Sequence, residues 1–130
     1  MQILADSRFQ GEELVPPRST ALLYGYDERL MLTRQFLVRR VGCSSETAID
    51  AGEYQAQIAT KHPGVIVFCQ TLTSEECSEA SHYAADHCPE SRLLVMFHSA
   101  QKCAPEQEHL LLDSSTGPIS FSRAVLGLVA

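Results

Sequence analysis

A thiol and an amide side chain follow a short apolar run in the middle of the chain. The run is Val65 to Phe68, and Cys69 and Gln70 come directly after it. Four residues are too few for a helix, and β-branched residues favour a strand that is buried on both faces. In an open α/β sheet the functional groups lie at the carboxyl ends of such strands. We therefore expect any chemistry of this domain to lie beside Cys69, whose thiol is a nucleophile and a metal ligand in other proteins.

Two further side chains are expected at the same edge of the sheet. His98 follows the apolar run Arg92 to Phe97, and Asp27 follows the apolar run Ala21 to Tyr24. A thiol, an imidazole and a carboxylate are all zinc ligands, so Cys69, His98 and Asp27 form a candidate metal or redox site. The simpler interpretation is that Cys69 is a small buried residue, because cysteine is often buried and three ligands on three loops have no spacing signature. We favour the simpler interpretation.

The residues between these runs predict strands that alternate with helices. The first helix is expected to begin after the N-cap Asp27 and to stop at Gly42, and Thr73 with Glu76 forms a capping box for a later helix. The predicted strands are residues 21–24, 43–47, 65–68, 92–97 and 110–112, and the predicted helices are residues 28–41, 48–62, 73–87 and 120–129.

The alternation predicts an α/β fold with a parallel sheet, because right-handed crossovers place helices on both of its faces. Five strands fit a flavodoxin-like three-layer sandwich with strand order 2-1-3-4-5. Pro105 lies between the fourth and fifth strands, so a helix in that segment is expected to be short or missing. Residues 1–20 are predicted to form a polar arm or linker, and residues 21–130 the domain.

Composition excludes several classes of function. The 130 residues are 45% hydrophobic, enough for one domain with its own core, and the formal net charge of -6 argues against a nucleic-acid surface. No apolar run approaches the length of a membrane span. The five cysteines form no CxxC pair, and residues 1–10 lack the apolar core of a secretion signal, so we expect reduced thiols in a cytoplasmic protein.

Charge and apolar patterning predict how the first helix is oriented. The spacings of four apolar residues can form one stripe against the sheet: Leu30, Phe36, Leu37 and Val41. Arg34 and its neighbours Arg39 and Arg40 are expected on the solvated face of the same helix.

Over residues 21–130 the chain resembles the receiver domains of two-component response regulators in its strand lengths and landmarks. In that family a Gly closes the first helix, as Gly42 does here, and a Pro-Asp pair precedes the third strand, where this chain has Pro63 and Gly64. The residues that carry the family's phosphorylation chemistry correspond to Gly25 and Tyr26 for the two metal-binding acids, Cys69 for the phosphorylated Asp, His98 for the hydroxyl residue and Gly117 for the Lys.

The resemblance thus implies a receiver frame without receiver chemistry. Phosphotransfer in the family needs a carboxylate nucleophile, two acids that hold Mg²⁺, a hydroxyl and a Lys. Asp27 is the one acid near the first loop, Tyr26 is expected to plug the pocket, and Ser114 lies near the place of the family's aromatic switch residue. The resemblance therefore implies a degenerate receiver with no metal, no cofactor and no enzymatic activity.

The leading hypothesis is a signalling domain that acts by contact with another signalling protein or with a second copy of itself. The first alternative is a thiol-based redox or metal sensor centred on Cys69 and His98. The second is an ordinary phosphorylatable receiver, which would require a different alignment of the third strand. The sequence leaves the identity of the partner open.

Overall fold

A computed structural model describes residues 20–97 and 110–129 of the chain. The strands are β1 (Thr20–Tyr24), β2 (Ser44–Ala48), β3 (Val65–Phe68), β4 (Arg92–Phe97) and β5 (Leu110–Asp113). The helices are α1 (Glu28–Arg40), α2 (Ala51–Lys61), α3 (Ser74–His87) and α4 (Pro118–Val129), and a 3-10 turn (Ser114–Thr116) precedes α4.

The strands form one parallel sheet of order β2-β1-β3-β4-β5. This order confirms the predicted flavodoxin-like architecture. β3 lies at the centre, between β1 and β4, and all four of its residues are buried. A strand covered on both faces needs apolar residues at every position, which is why it reads as a continuous apolar run.

The two faces of the sheet pack against different helices. Ile66 and Phe68 point to the face covered by α2 and α3, whereas Val65 and Val67 point to the face covered by α1 and α4. This alternation follows from the period of two along a strand, and it gives the predicted three layers.

Local signals set most element boundaries. Asp27 caps α1, Asp50 caps α2, and Thr73 with Glu76 forms the predicted capping box at the start of α3. Gly42 follows α1 with a φ of +94°, a backbone conformation that favours glycine. The second helix begins at residue 51 instead of the predicted 48, because Ala48 is the last residue of β2.

The predicted orientation of α1 is wrong in one respect that matters for the site. Arg34 is only 5% exposed, whereas Phe36 is 59% exposed. Met31, Arg34 and Val38 are the buried residues of this helix, and their spacing of three and four places them on one face. Arg39 and Arg40 are exposed as expected.

The expectation of reduced thiols is also wrong for one cysteine. Cys77, on α3, is disulfide-bonded, and Cys43, Cys69 and Cys88 are free. The predicted short or missing helix between β4 and β5 lies outside the described residues, and so does the predicted arm over residues 1–20 except for Thr20, which is the first residue of β1. No helix in the described part of the chain is long and apolar enough to cross a bilayer.

Candidate functional site

The carboxyl ends of β1 and β3 lie side by side, so Gly25 and Cys69 become neighbours. Tyr24 pairs with Phe68 in the parallel register. The backbone N–H of Cys69 donates to the carbonyl oxygen of Tyr24 at 2.9 Å, and that of Gly25 donates to Ala48 on β2 at 3.1 Å. These bonds extend the sheet by one residue and fix the loop that follows each strand.

Gly25 leaves no room for a side chain. A Cβ atom placed on Gly25 would lie 2.7 Å from Cβ of Cys69, 2.9 Å from Oγ1 of Thr71 and 3.3 Å from Sγ of Cys69. Carbon atoms at optimal separation are about 3.5 to 4.0 Å apart, so any larger residue would have to displace its neighbours. The loops after β1 and β3 are therefore packed directly against each other.

Tyr26 connects the first loop to α3. Its backbone N–H donates to Oγ1 of Thr71 at 2.9 Å, and its hydroxyl donates to the carboxylate of Glu76. Burial raises the pKa of Tyr26, and the hydrogen bond to Glu76 raises it further, although the residue is 43% exposed. The ring is anchored towards α3, beside Tyr24; its role as a plug of the pocket stays a prediction.

Asp27 serves the first helix. Its Oδ1 accepts the backbone N–H of Leu30 at 3.1 Å, which satisfies one of the free donors at the start of α1. A single carboxylate that already caps a helix is a poor ligand set for Mg²⁺, which prefers near-octahedral oxygen coordination. The described residues at this edge therefore do not fit the metal that receiver chemistry uses.

Arg34, on α1, is a residue of the site, although the sequence analysis placed it on the solvated face of the helix. Its Nη1 donates to Oε1 of Gln70 at 2.9 Å, and its guanidinium carbon lies 5.7 Å from the centroid of the Phe121 ring on α4. A positive charge thus lies beside Cys69. Its position three residues after Met31, on the buried face of α1, is the sequence signal that could have placed it there.

Cys69 has the properties of a packing residue. It is 2% exposed, and burial raises its pKa; the neighbouring Arg34 opposes this shift and Asp27 adds to it. Reactive cysteines are partly exposed and have a lowered pKa, whereas the Cys69 thiol has neither property. The structure gives no support to a redox sensor centred on this residue.

The remaining predicted positions are further from this contact or outside the described residues. Gly117 follows the turn after β5, and β4 separates β5 from β3 in the sheet. Its φ of +93° favours glycine, so a Lys would be strained there. His98, and with it the predicted zinc site that it would form with Cys69 and Asp27, lies outside the described residues. Among the described residues, no three His, Cys, Asp or Glu side chains form a metal-binding group.

Receiver domains of known structure share this fold. The receiver domain of a sensor histidine kinase from Pseudomonas aeruginosa, solved with a magnesium ion in its active-site cleft, has a TM-score of 0.73 at 10% identity, covering 85% of this chain and 97% of that one. A LuxR-family two-component response regulator from Aurantimonas has a TM-score of 0.69 at 19% identity, covering 85% of this chain and 84% of that one. A response regulator receiver domain protein from Methanospirillum hungatei has a TM-score of 0.67 at 14% identity, covering 85% of this chain and 92% of that one.

No protein-family model matches the chain, and no curated protein sequence matches it. The structural likeness confirms the predicted receiver fold. At these identities it shows the fold alone, and function depends on the residues at the site.

Proposed function

We propose that this chain, which has the fold of a receiver domain, is a degenerate receiver that regulates by protein contact and is not phosphorylated at the usual position. The contact between Gly25 and Cys69 carries the proposal. In the family these two places hold an acid and the phosphorylated Asp, whereas here they are packed together without space for a carboxylate between them.

The surrounding residues support the same conclusion. A receiver site gathers negative charge to hold Mg²⁺, but here the buried cation Arg34 lies beside Cys69. The nearest acid, Asp27, caps α1, and Glu76 accepts hydrogen bonds from Tyr26 and Thr73. A divalent cation would meet one positive charge and two carboxylates that are already engaged, so phosphotransfer loses both its metal and its nucleophile.

A domain without this chemistry transmits a signal through its surface. We infer that its partner is another signalling protein or a second copy of this chain, that it has no catalytic activity of its own, and that it works in the cytoplasm, where response regulators meet their partners. Sedimentation of the purified chain over a range of concentrations separates self-association from binding of a different protein. Cell fractionation tests the location.

Intact-protein mass measurement tests the absence of phosphorylation. The chain is incubated with Mg²⁺ and phosphoramidate or acetyl phosphate, beside a receiver domain that is known to accept phosphate from them. We expect no added phosphoryl group on this chain. A Cys69→Asp variant is expected to stay unmodified as well, because Gly25 and Arg34 still exclude the metal. A phosphoryl group on an acid of the loops after β1 or β3 in the unaltered chain would overturn the proposal.

A beryllofluoride titration gives an independent test. Two-dimensional amide spectra with and without Mg²⁺ and beryllofluoride, which mimics a phosphorylated aspartate, should coincide. Shifts clustered at residues 25–27 and 69–71 would mean that an acid still serves the site and that the domain is a phosphorylation switch.

A further inference from the structure

All four tyrosines of the chain line one cleft. It lies between the end of β1 and the facing sides of α2 and α3, and it has a volume of about 140 Å³. The cleft, called here the tyrosine cleft, is lined principally by Tyr24, Tyr26, Tyr54, Tyr83, Glu76 and Glu79. Gly25 and Cys69 are not among the residues that line it.

The rings are held in fixed positions. Tyr24 and Tyr54 stack with centroids 4.6 Å apart, and Tyr26 meets Tyr24 edge-on at 6.4 Å. The hydroxyl of Tyr54 donates to the backbone carbonyl oxygen of Ala80 at 2.6 Å, and Tyr83 lies at a tilt to Tyr54 with centroids 6.1 Å apart. A cleft built from such rings requires little reordering when a ligand enters, which favours binding.

The electrostatic character of the tyrosine cleft is negative. Two carboxylates, Glu76 and Glu79, line it, and none of its lining residues is cationic. The pKa of Glu76 is lowered mainly by the backbone N–H of Thr73, so it stays ionised. Burial is the main cause that raises the pKa of Tyr24, and a hydrogen bond with Tyr26 lowers it in part. Three nearby carboxylates also raise this pKa: Glu76, Asp50 and Glu79. Phenol faces and carboxylates together attract a positive charge.

We propose that the tyrosine cleft binds the cationic head of an arginine or lysine side chain presented by a partner protein. This inference rests on the proposed function, since it names the chemistry of the protein contact. Tyr26, the most exposed of the four tyrosines, offers its ring to the cation, and Glu79, on the exposed side of α3, supplies the opposite charge.

The size of the cleft favours a side chain over a free cofactor. Small-molecule sites are usually about 300 to 1,000 Å³, and an engineered cavity of roughly 150 Å³ holds benzene. A volume of about 140 Å³ therefore suits one guanidinium or ammonium group. The rest of the ligand must lie outside the cleft, along α2 and α3, as a side chain from another protein would.

Binding of Nα-acetyl-arginine amide to the purified chain tests the proposal. Because the chain has four tyrosines and no tryptophan, its intrinsic fluorescence reports on this cleft alone. Amide spectra recorded in the same titration locate the site. We expect saturable changes at the tyrosine cleft with the arginine probe and none with Nα-acetyl-citrulline amide, which has nearly the same shape without the charge.

Two charge-neutralising variants form a matched pair. Glu79→Gln removes a carboxylate from the tyrosine cleft, and Glu75→Gln removes an exposed carboxylate from the same helix outside it. We expect Glu79→Gln to weaken binding of the arginine probe roughly fivefold and Glu75→Gln to leave it nearly unchanged. Equal effects of the two variants, or equal binding of the citrulline probe, would overturn the proposal.

A polyamine distinguishes the source of the cation. Spermidine is expected to bind no more tightly than the arginine probe at equal ionic strength. If spermidine binds far more tightly at the same residues, the ligand is a free polyamine and the partner-protein proposal is wrong. Failure of the arginine probe would leave the phosphorylation test untouched, because that test measures the mass of an added phosphoryl group and not binding at the cleft; the two proposals can therefore fail separately.

Discussion

Gly25 and Cys69 fit each other as a pair: the side chain of Cys69 occupies the space that a side chain at position 25 would need. The distance of 2.7 Å from an added Cβ to Cβ of Cys69 is too short for any non-glycine residue without movement. Position 25 therefore requires glycine for reasons of packing, because β1 and β3 bring two backbones into close approach at the site.

Gly25→Ala is expected to destabilise the fold. Overpacking a buried site costs about 1 to 3 kcal/mol of unfolding free energy, and urea unfolding measures it. Gly127→Ala in α4 is the matched control, since an added Cβ there meets nothing within 4 Å and the substitution should raise stability by about 0.5 to 1 kcal/mol. Equal gains in stability at both positions would contradict the close contact.

A double-mutant cycle identifies the atom responsible for that loss. Cys69→Ala removes Sγ but keeps the Cβ that lies nearest to position 25, so it should not relieve Gly25→Ala. Cys69→Gly removes both atoms and is expected to recover roughly 1 kcal/mol of the loss as a coupling free energy. The absence of any difference between the two cycles would show that Thr71, and not Cys69, restricts position 25.

Cys69 is expected to resist alkylation in the folded protein. The three free cysteines provide an internal comparison, because Cys88 is 9% exposed and Cys69 is 2% exposed. Peptide mapping after iodoacetamide treatment of the native protein should show Cys88 modified before Cys69. The rate of Cys69 modification should be at least roughly ten times lower in the native protein than in urea. Fast labelling of Cys69 in the native state would revive the redox hypothesis.

Stability is expected to fall at alkaline pH. Burial raises the pKa of Tyr54 and of Cys69, so the folded state keeps protons on both side chains that the unfolded state releases. Their contribution to the free energy of unfolding is fully present below the pKa values of the unfolded chain, about 8.5 for Cys and about 10 for Tyr. It is lost as the pH rises above those values. Urea unfolding between pH 9 and pH 11 should show the loss, at up to about 1.4 kcal/mol per pH unit for each group.

Tyr54→Phe removes one of these groups and should flatten the alkaline slope by up to that amount. It also removes the buried hydrogen bond to Ala80, so its stability at pH 7 should be lower by about 1 to 2 kcal/mol. An unchanged slope in the variant would mean that Tyr54 ionises equally well in the folded state.

The capping box of α3 is expected to contribute to stability. Thr73→Ala removes the oxygen that accepts the backbone N–H of Glu76 at 3.1 Å, at a cost of about 1 kcal/mol. Thr60→Ala is the control, because that exposed hydroxyl bonds to Ala56 within α2 and its loss should change stability by less than about 0.5 kcal/mol. Thermal unfolding compares the two, and equal effects would leave the cap without a special role.

The sequence alone determined the strands, the helix caps and the order of the sheet. The apolar run of β3, the capping box at Thr73 and the stop at Gly42 depend on residues within one turn or one strand, so they can be read locally. The placement of Gly25, Tyr26, Asp27 and Cys69 near one edge also followed, because parallel strands end on the same side of a sheet.

Only the tertiary structure decided what those residues do there. The burial of Arg34 depends on how α1 is rotated against the sheet and α4. From its charge alone, the residue was expected on the solvent-exposed face of the helix. The contact of Gly25 with Cys69 and the convergence of the four tyrosines join residues far apart in the chain. Such contacts are set by strand register and helix packing to within an ångström, whereas local sequence patterns fix only which face of an element is apolar.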